Sequence, residues 1–301
     1  MRDASIRDFI GYGKVPLNPE WPNNARLAVN FVVNIEEGSE PSIFDGDRYT
    51  EYRLTELGSQ ESEVSERDLG AESMFEYGSR VGIWRIFRAF SERKLPLTAY
   101  ACALALERNP EVAAEIQNED YDICGHGWRW EKHFELDEIT ERDRIIKSVK
   151  SIKRMTGRRP YGWYCRYAPS LNTRRLLAEE GGFLYDSDSY ADELPYWVQV
   201  GEKPHLIIPY TLATNDVKFV RGGMSTSDQF FTFINDSIEV LLKEGKNQPK
   251  MISIGLHPRI IGHPGRMKSL LRLLDIVSDN KEIWVTRRVD IANHWIKHFY
   301  P

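Results

Sequence analysis

The chain has 301 residues, 41% of them hydrophobic and 28% charged, which is the balance of a folded globular protein and excludes an intrinsically disordered one. Its formal net charge of −5, with no run of clustered Lys and Arg, offers no general attraction to phosphate backbones or anionic lipid. Neither nucleic acid nor a membrane is therefore an expected partner.

The first element in chain order is RLAVNFVVN, Arg26 to Asn34, an apolar β-branched run that predicts a buried strand with two acids, Glu36 and Glu37, just past its end. The polar stretch from Ser39 to Arg67 has little periodicity and is expected to be an excursion over the surface or into a neighbouring subunit. Ile83, Ile86, Phe87 and Phe90 then recur at helical spacing, and Pro96 precedes the strand LTAYACA. The alternation continues with a helix around Pro110 to Gln117, the strand YDICGHG, and a helix from Asp137 to Thr156 stopped by Gly157. After these come GWYC, a helix between Asn172 and Gly181, the strands FLYDS and LIIPY, and a helix aligning Phe230, Ile234, Ile238 and Leu241. The strand MISIGLH, a helix carrying Met267, Leu270 and Leu274, the strand IWVT and a helix from Arg287 to His298 close the chain. Six or seven buried strands alternating with helices predict an α/β protein with a parallel sheet, closed as a barrel or open and doubly wound. One domain over residues 1–301 accommodates all of it.

The chain lacks GxxxxGK[ST], a GxGxxG after a strand, HExxH and GxSxG, so nucleotide, zincin and serine-hydrolase chemistries have no local support. Acids and histidines remain. Glu36 and Glu37, His126 between Gly125 and Gly127, Asp186 and Asp188, and His257 all lie at or just past predicted strand ends. That is where barrels of βα units gather their chemistry, and a barrel is favoured for this reason. Cys102, Cys124 and Cys165 are widely spaced without a CxxC pair, as expected of reduced thiols. The longest apolar run, Leu95 to Leu106, is too short to span a bilayer and no signal-like stretch opens the chain, so the cytoplasm is the expected location.

Read in order, NFVVNIEEG, GHGWRW, RRPYGWYCRYAP, YDSDSY and ISIGLHPRIIG resemble the motifs of the polysaccharide deacetylase superfamily. The resemblance implies a distorted (β/α) barrel of the NodB-like type. In the metal-dependent members an aspartate and two histidines hold an ion; here the first motif carries glutamates and the second histidine position is Trp130. His133, seven residues after His126, does not have the one-turn spacing that would replace it. These departures, with FEYGSRVGIWR, DELPYW and KPHLIIPYTLATND, are similar to the allantoinase branch, usually described as needing no metal.

That resemblance implies hydrolytic opening of the hydantoin ring of a small-molecule substrate, allantoin, to allantoate in purine breakdown. It also implies a homotetramer and no cofactor, with a divalent metal near His126 as the alternative. Opening a cyclic amide needs an activated water, a stabilised oxyanion and a proton for the leaving nitrogen. Glu36 or Glu37 is the expected base, while His126 and His257 polarise the carbonyl and protonate the nitrogen. Arg166, Asn215, Asp216, Asp186 and Asp188 are candidate substrate contacts, and Trp128 with Trp130 a candidate wall against a flat ring. The alternatives are a cyclic imidase, a carbohydrate N-deacetylase, or a binding protein that turns nothing over.

Overall fold

The computed structural model describes residues 2–57 and 66–301. Its strands in chain order are β1 (Arg2–Asp3), β2 (Leu27–Ile35), β3 (Thr98–Ala101), β4 (Asp122–Gly125), β5 (Gly162–Trp163), β6 (Tyr185–Asp186), β7 (Tyr196–Val200), β8 (Lys203–Ile207), β9 (Lys250–Leu256) and β10 (Ile283–Val285). Helices α1 (Leu69–Tyr77), α2 (Ile83–Arg93), α3 (Ala103–Arg108), α4 (Pro110–Asn118), α5 (Glu138–Thr156) and α6 (Thr173–Glu180) cover the first half. They are followed by α7 (Lys218–Arg221), α8 (Ser227–Glu244), α9 (Pro258–Ile261), α10 (Pro264–Asp279) and α11 (Arg288–Phe299).

All nine residues of β2 are buried, because it is flanked by parallel neighbours and covered on both faces. One edge pairs with β9 from Leu27↔Lys250 to Val33↔Leu256. The other is shared, β10 taking its beginning and β3 its end. From β3 the ladder proceeds through β4, β5, β6 and β8, all parallel, to the antiparallel β7. Between β8 and β9 the chain from Ile208 to Asp216 crosses the gap, and its Asn215 bridges to Gly255. The result is an α/β fold, a barrel distorted at this seam.

Strand alternation decides what faces inward. On β2 the odd positions Leu27, Val29, Phe31, Val33 and Ile35 join the layer under the helices, while Ala28 and Val32 join the interior cluster with Tyr100, Cys124, Tyr185, Leu206 and Met251. The interior is partly polar. Fully buried Arg288 donates to Asn30 Oδ1 (2.9 Å), Ser253 Oγ (2.8 Å), Ser187 Oγ (2.9 Å) and the Pro209 carbonyl (3.0 Å). It thereby ties β2, β9 and the residue just past β6 to the crossing segment.

Three elements differ from the sequence reading. The antiparallel pair β7–β8 replaces a single strand at LIIPY, since β7 is half-buried throughout and shows no alternation of apolar and polar residues. The helix ending near Phe90 reaches back to Leu69 through a π-helical turn at Gly78–Gly82, which breaks the 3.6-residue period. The expected excursion from Ser39 to Arg67 lies partly outside the described residues; through Leu57 it exposes Phe44 and Tyr49 but also has a buried side. Ser39, Glu51 and Thr55 are buried, because this segment lies against the mouth of the barrel and pairs with arginines there.

Candidate active site

The interior alternation carries Glu36, His126 and His257 into one place. Glu36 continues the inward series of β2, His126 follows Asp122 and Cys124 of β4, and His257 follows Met251, Ser253 and Gly255 of β9. Glu36 Oε1 lies 3.3 Å from His126 Nε2 and 3.6 Å from His257 Nε2. All three are buried, with His257 the most open at 7%.

Each group is held from behind. His126 Nδ1 faces the Tyr164 carbonyl at 2.7 Å, so that nitrogen carries the hydrogen, and the ring stacks on Tyr164. Asp216 Oδ1 lies 2.6 Å from His257 Nδ1, and Asp216 Oδ2 accepts from the main-chain nitrogens of His257 (2.7 Å) and Ile261 (3.2 Å). Arg259 reaches both glutamates, with Nη2 2.7 Å from Glu36 Oε2 and Nη1 3.2 Å from Glu37 Oε1. Its Nε donates to the Leu54 carbonyl (2.9 Å) in the segment over the barrel mouth. The Nη2 contact is an ion pair without hydrogen-bond alignment, and both Nη2 and Glu36 Oε2 lack a hydrogen-bond partner within the protein.

These charges fix the protonation states. Burial alone would raise Glu36, but Arg259, His257 and the bond to His126 hold it well below the usual carboxylate range. Burial would likewise push His257 down; Asp216 first and Glu36 second prevail and raise it to about 9. At neutral pH the pair is thus carboxylate and imidazolium. Glu37 is shifted upward, since burial and the neighbouring Glu36 outweigh its contact with Arg259.

The remaining candidates divide. Asp216 joins the site behind His257, where both its oxygens are committed, so it orients the imidazole and does not reach out to a ring N–H. Asn215 is spent on the Tyr210 hydroxyl (3.1 Å) and the Val217 main chain (2.9 Å). Arg166 donates to the Trp130 carbonyl (3.0 Å) and pairs with Glu51. Trp130 is no open wall: Arg166 lies 3.7 Å and Arg259 5.1 Å from its ring centroid, a stacked arrangement suited to guanidinium on indole. Trp128 belongs to the helix-side core with Lys147 over its ring. Asp186 is bound to Arg174 (2.9 Å) and His205 (2.8 Å). Asp188 accepts from the Cys165 main chain (2.8 Å), and burial with Asp186 nearby raises it to about 7.

His133 bonds Glu141 (3.1 Å) beneath the loop and stands apart from this cluster. Arg259 is the participant that sequence reasoning missed. Its only signal is a charged residue two positions after His257 in an otherwise apolar stretch.

The donor set does not fit a divalent ion. Trp130 offers no lone pair where a ligand would stand, a guanidinium already lies between the two glutamates, and among the described residues no group of three or more His, Cys, Asp or Glu could hold a metal.

A carboxylate, an imidazolium and a guanidinium gathered at the C-terminal ends of parallel strands are groups that acid–base chemistry can use. The polysaccharide deacetylase model matches residues 70–185. A Schizosaccharomyces pombe protein described as "Putative polysaccharide deacetylase" is 40% identical over 318 residues, 98% of each chain. A solved PuuE allantoinase is 45% identical with a TM-score of 0.93, covering 97% of this chain and 98% of its own. A Helicobacter pylori peptidoglycan deacetylase is 30% identical over 161 residues, 53% of this chain and 54% of its own. The chain belongs to the polysaccharide deacetylase family and is a hydrolase of that family. No helix among the described residues is long and apolar enough to cross a membrane.

Proposed function

We propose that this protein is an allantoinase, opening the hydantoin ring of allantoin to allantoate in purine degradation. The observation that carries the reading is the Glu36–His257 pair, a buried carboxylate 3.6 Å from a histidine raised to about 9. Glu36 takes a proton from water, whose oxygen adds to the ring carbonyl carbon. The electron pair moves onto the carbonyl oxygen and returns as the ring C–N bond breaks, and His257 delivers its proton to the departing nitrogen. His126 holds the same carboxylate oxygen, Oε1, at 3.3 Å, while Oε2 faces Arg259. A flat heterocycle suits a mouth covered by residues 39–57, whereas an extended polymer requires an open groove. Likeness to the solved allantoinase over nearly the whole chain supports the choice of substrate.

The same reading carries a cytoplasmic homotetramer without a cofactor. Three buried free thiols, Cys102, Cys124 and Cys165, suit a reducing compartment. Exposed Ile6, Phe9, Ile10 and Val15 supply apolar surface for association, which light scattering would measure. Carbohydrate N-deacetylation is the second reading, favoured by the description of the Schizosaccharomyces pombe relative.

Allantoate formation by the purified protein tests the assignment. Glu36→Gln should lower kcat by about 10²- to 10⁴-fold with the fold retained. Hydrolysis of an N-acetylated sugar without any turnover of allantoin would transfer the assignment to the second reading.

A further inference from the structure

We propose that the guanidinium of Arg259 serves as the site's resident cation, in the place where metal-dependent members of the family hold a divalent ion, and that it stabilises the oxyanion formed during hydrolysis. The catalytic half of this inference rests on the hydrolase reading above; the cation half rests on geometry alone. Four observations carry it. Arg259 contacts both carboxylates of the first acidic motif, Glu36 at 2.7 Å and Glu37 at 3.2 Å. Trp130, at the position of the second metal-binding histidine, contributes an indole face to the same guanidinium in place of a lone pair. Phe75 lies on it as well, its ring centroid 4.6 Å away. Finally, Nη2 lies buried 2.7 Å from Glu36 Oε2, and the second of its two hydrogens can serve an oxygen bound next to the base.

The surrounding backbone is built to hold that side chain. Arg259 donates from its own main-chain nitrogen to Glu37 Oε1 (3.2 Å) and from Nε to the Leu54 carbonyl. Opposite them runs the π-helical turn. A Cβ at Gly78 would stand 2.6 Å from Glu37 Oε1 and 2.8 Å from the Arg259 nitrogen, and one at Gly82 would stand 2.1 Å from the Pro258 carbonyl oxygen. Two glycines one helical turn apart thus let the helix press on the segment that delivers Arg259. A π turn retained at such a contact is a common sign of a functional site. Preorganised in this way, the guanidinium can offer charge to a developing oxyanion without rearranging, and a divalent ion entering between the glutamates would meet it at contact distance.

The decisive experiment is a calorimetric titration of Zn²⁺ into chelator-treated protein, run beside allantoin turnover. Wild type should bind no stoichiometric Zn²⁺ and should turn over equally before and after chelation. Trp130→His alone should remain without Zn²⁺, because Arg259 still occupies the position. Trp130→His combined with Arg259→Met should bind one equivalent. Arg259→Met should lose about 10²- to 10³-fold in kcat and recover part of it with added guanidinium, and Arg259→Lys should lose turnover too, because a point charge does not reproduce the fork.

Tight binding of one Zn²⁺ by wild type, or wild-type turnover by Arg259→Met, would overturn the proposal. If the Arg259 variants do not fold, the Trp130→His titration decides the cation question, since one equivalent of Zn²⁺ bound there beside an intact Arg259 would overturn the proposal. Absence of allantoin turnover by wild type would remove the functional reading and leave the Zn²⁺ titrations to judge the cation.

Discussion

Replacing Asp216 by Asn tests whether the protonation state of His257 is set by its partner. The two side chains have nearly the same shape, but the amide cannot supply the negative charge that leads the upward pull on His257 to about 9. An unperturbed histidine titrates near 6.5. If catalysis requires the imidazolium, the competent fraction at pH 8 is about 0.9 for a pKa near 9 and ~0.03 for one near 6.5. The full loss of the Asp216 contribution would therefore cost about 30-fold in rate at pH 8 yet less than about 2-fold at pH 6. In the variant Glu36 still pulls His257 upward and burial still pushes it down, so about 30-fold is the loss at pH 8 for a His257 returned to its ordinary value. The assay is a profile of kcat/KM from pH 5 to 10, joined to an NMR titration of the His257 ring. An upper limb that stays near pH 9 in the variant would refute the reasoning, as would a loss of equal size at every pH.

Stability gives further tests. Gly82→Ala forces a methyl group against the Pro258 carbonyl and should cost about 1–3 kcal/mol, read as a lower urea midpoint. Arg288→Met leaves Asn30, Ser253 and the Pro209 carbonyl without their donor and should cost about 3–5 kcal/mol; Arg288→Lys should not restore it, since one ammonium cannot span the same acceptors. Asp188, raised to about 7 by burial and Asp186, favours the fold in its neutral form. Its contribution is complete below the unfolded carboxyl value near 3.9 and is lost as pH rises through about 7. Wild type should accordingly lose Tm between pH 6 and 8, and Asp188→Asn should flatten that fall, read by thermal melts across the range.

Much of the frame was legible in the chain. The apolar runs at Arg26 to Asn34 and Met251 to Leu256 announce buried parallel strands, because a strand covered on both faces has no solvent side to mark with polar residues. Helices such as α5 are legible from period and caps together: Asp137 accepts from the Thr140 nitrogen at one end and Gly157 adopts φ 76° at the other. The strand ends carrying Glu36, His126 and His257 follow from the same runs, while their common inward direction is set by the packing of the two faces. Weak alternation hid the β7–β8 pair, and two glycines at π spacing hid the start of the helix before Ile83.

What sequence could not supply is who faces whom across the barrel. Asp216 stands forty-one residues from His257, and only the seam between β8 and β9 brings its carboxylate onto the imidazole. Trp130 had the composition of a substrate wall, yet tertiary packing closes it between Arg166 and Arg259. Arg259 itself has no motif of its own; its role arises because a helix with two bare Cα positions presses it between two glutamates. Periodicity is local and survives in one dimension, so strand ends could be read directly. Charge pairing in a buried site depends on distances between residues far apart in the chain, and those exist only once the barrel has formed.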